Sequence, residues 1–176
     1  MKEITLFTII LAAFFTTGCS GNNSQLKFKR MSEIEKISKD QFIKETIAIY
    51  NNVFQGMNNL LDKHEKIDAK FEEKINELHN SSVKQMIEYG KFLDKKNTDT
   101  RSDYITSTLM AMWDKMDNSE AEAFEEKFDK RMPELQAYGS ESLGRKFNDL
   151  FGIMDFMDFE DAKDRHSETA KEFGIE

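Results

Sequence analysis

The chain has 176 residues, a net charge of −8, a single cysteine, a single proline and fifteen phenylalanines. The acidic balance and the lack of a basic stripe with interleaved aromatics exclude a nucleic-acid partner; the lone cysteine excludes an internal disulfide or a thiolate metal centre. Apolar residues make up 39% of the chain, too many for disorder, and the length suits a signal segment followed by one domain of roughly 150 residues.

The first element is an apolar run over residues 4–15, preceded by Met1, Lys2 and Glu3, the last of which offsets the charge of the lysine. As a helix it spans ~18 Å against a hydrocarbon core of ~30 Å, so it has the dimensions of a signal-peptide core and not of a membrane span. Small residues Thr16, Thr17 and Gly18 follow, then Cys19. This order resembles the lipobox of bacterial lipoproteins, over residues 1–19 only, with Thr16 standing where that family usually has an aliphatic residue. An ordinary secretory signal and a chance apolar N-terminus are the competing readings of the same run.

The resemblance implies that residues 1–18 are removed, that the Cys19 thiol carries a diacylglycerol and that the new amino terminus is acylated. Several acyl chains hold a protein on a bilayer where one chain does so marginally. It further implies a lipid-anchored protein of the bacterial cell envelope, with its domain in the periplasm or at the surface. Ser20 after the cysteine implies the outer membrane if the host is Gram-negative. Residues 20–25 are polar and contain glycine, the composition of a flexible leash. The expected organisation is a signal peptide at 1–18, a lipidated tether at 19–31 and a single helical domain at 32–176.

From Ser38 onward the period is helical, with Phe42, Ile43, Ile47, Tyr50, Val53, Phe54, Met57, Leu60 and Leu61 recurring at three- and four-residue spacings. The stripe continues past Phe71 and Ile75 to Leu93, which predicts one very long arm or two helices. The candidate break is residues 79–82, because Ser82 and Gln85 form an S-x-x-Q capping box. Residues 97–102 read as a polar loop rich in N-cap types. The next helix has Ile105, Leu109, Met112, Trp113 and Met116 as its apolar face, and Asp117 and Asn118 turn the chain. Ser119 with Glu122 is a further capping box, Pro133 kinks the helix that follows, and Gly139 and Ser140 read as a helix-ending glycine and a new N-cap. Leu143, Phe147, Leu150 and Met154 continue the pattern, with a last short helix between Phe159 and Phe173. No segment alternates with a period of two, so the fold class is all-α, a helical bundle with one long N-terminal arm that is continuous or broken.

No motif in the chain carries recognisable catalysis. Residues 139–146 imitate a phosphate loop, but Arg145 holds the lysine position and Lys146 the Ser/Thr position, and no strand precedes them. His64, His79 and His166 are the imidazoles. His64 and Asp68 have one-turn spacing, while His64 and His79 on one helix stand ~22 Å apart, too far to share an ion. An enzyme would declare itself by His64 or His166 converging with carboxylates in a polar cleft. Asp155, Asp158, Glu160, Asp161 and Asp164 read as a solvated acidic face without calcium-loop spacing.

The run Phe151, Met154, Phe156, Met157 and Phe159 covers more than one helix face. It reads either as the central helix of the bundle or as an acid-rimmed patch for another protein. The methionines, Met110 and Met112 beside Trp113 among them, fit core filling or an adaptable binding surface. These readings predict a non-enzymatic, membrane-anchored protein-binding module of inhibitor, immunity or scaffold type, with no cofactor or metal. The alternative is a periplasmic carrier for a hydrophobic small molecule or lipid held between helices.

Overall fold

A computed structural model of the chain describes residues 27–114 and 118–175, the side chains of residues 118–123 excepted. The signal run, Cys19, the polar stretch after it, Met116, Asp117 and the capping pair Ser119 and Glu122 lie outside what is described. Every regular element among the described residues is helical, so the all-α class expected from the periodicity holds.

Two long antiparallel helices, α2 (Lys39–Lys63) and α3 (Ala69–Asp94), form the spine. Each is about 38 Å long. The start of α2 meets the end of α3, where Phe42 packs on Tyr89 and Phe92 with ring centroids 5.1 and 5.5 Å apart. Ser38 caps α2 by accepting from the Gln41 amide, and Asp68 caps α3 by accepting from the Phe71 amide. The arm is therefore broken, but at residues 64–68 and not at 79–82. Two features explain the location. The Arg131 guanidinium donates to the carbonyls of Leu61 and His64, satisfying the open end of α2. The Gln85 side chain is engaged by the Lys29 main chain and α3 runs unbroken through Ser82, so the S-x-x-Q pair starts no helix.

Each spine helix is paved by shorter elements laid end to end. Helix α4 (Thr98–Trp113) follows α2 from Phe42, whose ring lies 5.0 Å from Tyr104, with Thr46 and Thr108 fully buried. Asn97 caps it through the Thr100 amide, so the polar stretch expected to be a loop is mostly the first turn of a helix. Helix α5 (Asn118–Tyr138), which carries Pro133 in its interior, continues along α2. Phe124 meets Phe54 at 5.4 Å, and Lys127 reaches Asn58 and Asp62. Gly139 ends α5 at φ 68°, and Ser140 caps α6 (Glu141–Phe151) through the Leu143 amide, both as the sequence predicts.

Along α3 the paving is α6 and then a 3₁₀ segment, Ile153–Met157. Phe147 sits by Phe71, and further along, Phe156 and Phe159 close on Gly90. A Cβ at Gly90 would stand 2.5 Å from the Phe159 ring and 2.6 Å from the Phe156 carbonyl oxygen, so only glycine permits this approach. Helices α7 (Phe159–Arg165) and α8 (Ser167–Glu172) then fold back, bringing Phe173 to 6.1 Å from the His79 ring.

The N-terminal strap corrects the expected tether. The tether expected over 19–31 is packed on α3 at its C-terminal end: the Lys29 amide donates to Gln85 Oε1, Gln85 Nε2 donates to the Lys29 carbonyl, and the Met31 amide donates to Glu88. A short helix, α1 (Met31–Ile34), completes the attachment by burying Ile34 entirely. Any leash from Cys19 therefore ends before Lys29.

Candidate functional site

Helix α6 carries Asp149 inward to meet His79 of α3, His166 at the α7–α8 junction and Thr169 of α8. His79 Nε2 lies 2.8 Å from Asp149 Oδ2, His166 Nδ1 lies 2.9 Å from Asp149 Oδ1, and the Thr169 hydroxyl donates to Oδ2 at 2.6 Å. The second nitrogen of His166 faces Asp155 of the 3₁₀ segment at 3.1 Å. Asp149 and His79 are each 1% exposed, a burial that charged or polar groups tolerate only when paired. Phe156 lies over the His166 ring at 4.9 Å.

With a carboxylate at each ring nitrogen, His166 donates both N–H groups and is an imidazolium. Burial opposes its charge, but the hydrogen bonds to Asp149 and Asp155 outweigh that cost and push its pKa up to about 9. Burial likewise opposes the Asp149 charge, and the hydrogen bonds from His166, His79 and Thr169 overcome it, holding the carboxyl well below the usual range. Gly152 makes room for the ring, since a Cβ there would stand 2.5 Å from His166 Nε2.

A cleft of about 450 Å³ opens beside this cluster, lined in part by Ser142, Arg145, Asn148, Arg165 and Glu168. Its cations are engaged: Arg145 pairs with Glu168, and Arg165 lies 3.7 Å from Asp155. His166 thus converges with carboxylates beside a polar cleft, the arrangement expected of an enzyme, but its two nitrogens are both donors. A general base needs a lone pair aimed at a nucleophile, and the Thr169 hydroxyl is turned to Asp149 instead. The geometry joins α3, α6 and α8 through the buried Asp149, and His166 extends the link to the 3₁₀ segment through Asp155. Among the described residues no cluster of three or more His, Cys, Asp or Glu side chains is arranged to hold a metal ion.

The other residues singled out in the sequence are dispersed. His64 stands apart from the cluster, its ring 5.6 Å from Phe71, and Asp68 serves as an N-cap. The five-residue apolar run does not form one outer surface. Phe156 and Met157 are buried, Met154 and Phe159 are partly buried against the core, and only Phe151 turns out, at 38% exposure. The reason is local: α6 ends at Gly152, and the three-residue period of the following 3₁₀ turn sends Ile153 and Phe156 to the same inner side. Nor is Trp113 part of the inner face of α4. Met112 takes that place, and Trp113, 100° further round the helix, is 65% exposed beside Met110 at 60%.

Sequence reasoning missed Asp149, because it lies off the apolar stripe of α6 marked by Leu143, Phe147 and Leu150. It also treated His79 only as part of the supposed break and in relation to His64, and never against His166 or a carboxylate of another element. No protein family, curated protein or solved structure matches the chain.

Proposed function

We propose that the chain is a lipid-tethered, non-enzymatic binding module of the bacterial cell envelope, acting stoichiometrically on a protein partner as inhibitor, immunity factor or scaffold. The observation that carries the reading is the pair Met110 and Trp113 on one face of α4, both more than half exposed, whereas most other large apolar side chains among the described residues serve the core. Tryptophan with a neighbouring thioether is the composition of an interface anchor. Asp114, directly after α4, stands exposed beside the pair, Asp103 on the same helix is exposed though shared with Lys39, and the chain is acidic overall, so the complementary partner surface is an apolar pocket with a basic rim. The doubly donating His166 supports a non-catalytic role for the buried cluster. The carrier alternative draws no support from the cleft, whose lining is polar and ionic.

The test is a photoreactive amino acid in place of Trp113, in cells making the full chain. The reading predicts a discrete adduct whose formation is lost in a folded Met110→Glu variant and is absent when the probe replaces Ser102. Equal labelling from both positions, or adducts indifferent to Met110→Glu, would remove the surface from consideration.

A further inference from the structure

We infer that the strap entering at Lys27 is a membrane-contact face, with the Phe28 ring seated among the headgroups of an anionic leaflet and Lys27 and Arg30 on lipid phosphates. This rests on the reading of Cys19 as the lipid anchor. Phe28 is 49% exposed, yet it is not loosely placed: the residue after it is fixed by both of its main-chain bonds to Gln85 and by the ammonium of Lys29 on Glu45. An apolar ring is thus held outward at a defined point of the surface, between two exposed cations, Lys27 and Arg30.

The occupant follows from reach and charge. Phe28 is nine residues from Cys19, so the two are separated by at most about 32 Å whatever path the chain takes between them. A lipid on Cys19 would keep this part of the domain next to the bilayer. A molecule of net charge −8 is repelled by an anionic surface, and the approach is eased only where cations lie outermost. Around the strap, Lys27, Lys29, Arg30, Lys91 and Lys95 stand against Glu33, Glu35, Glu45 and Glu88, a small local excess of positive charge on a chain that is acidic overall. Phenylalanine flanked by basic residues is the composition that settles at a bilayer interface. Contact on this face turns the rest of the acidic surface toward solvent.

The experiment uses the lipidated chain purified from membranes, with Phe28→Cys carrying an environment-sensitive fluorophore; Cys19 is blocked by its thioether. The chain is placed in vesicles of phosphatidylcholine alone or mixed with phosphatidylglycerol. The expected result is a blue shift and several-fold slower aqueous quenching at position 28 in the anionic vesicles, lost on Lys27→Glu with Arg30→Glu. The same fluorophore at Thr106→Cys stays aqueous throughout. A chain that floats with the vesicles while position 28 is quenched as fast as position 106 overturns this inference and leaves the anchor standing. A chain that does not float, with Cys19 free of diacylglycerol by mass, overturns both.

Discussion

Asp149 and His166 face each other at 2.9 Å inside the protein, an ion pair enclosed by α3, α6 and α8. Exposed ion pairs contribute little to stability, but a buried one becomes costly to break, because the surviving charge is left without solvent or counterion. Asp149→Asn should therefore lower the stability by about 3–5 kcal/mol in urea unfolding. Thr169→Val, which removes one hydrogen bond to the buried carboxylate, should cost about 1.5–3 kcal/mol.

The pH dependence follows from the same pair. The folded pKa of His166 is raised from 6.5 to about 9, so its contribution is fully present below pH 6.5 and is lost as the pH climbs through 9. The folded pKa of Asp149 is lowered from 3.8, so its contribution is present above that value and is lost on acidification. The cluster should be most stabilising between about pH 4 and 6.5. Urea midpoints measured across the pH range should show this plateau, and His166→Gln should flatten its alkaline limb.

Gly90→Ala tests the packing of the 3₁₀ segment on α3. The added methyl meets a backbone carbonyl at 2.6 Å, which cannot rotate away, so the segment must shift. A loss of about 1–3 kcal/mol is expected despite the better helix propensity of alanine. Gly144→Ala, on the open side of α6 with nothing within 4 Å, should be neutral or stabilising in the same assay.

Gln85→Ala should release the strap. Its amide makes two bonds to the main chain of Lys29, and their loss should raise the hydrogen-exchange rate of the Lys29 and Met31 amides by at least tenfold. The core amides of α2 should be unchanged.

The helices were legible because Phe42, Val53, Met57 and Phe71 repeat with the helical period, and the α5–α6 junction because Gly139 and Ser140 carry local conformational signals. The break in the arm was misplaced because Ser82 and Gln85 match a local capping pattern, whereas the real stop is satisfied by Arg131, some seventy residues away. The same difference explains the site. Asp149, His79 and His166 belong to three elements, and nothing in their spacing announces that folding back of α7 and α8 will enclose them together. Trp113 and Met112 are neighbours in sequence with equal claims to the interior, and only the path of α4 along α2 decides between them.

Where the chain is fixed is measured most directly by the mass of the N-terminal peptide recovered from cells. The expected peptide begins at Cys19 and carries diacylglycerol on its sulfur. A peptide beginning at Met1, with the Cys19 thiol free, would contradict the lipid anchor.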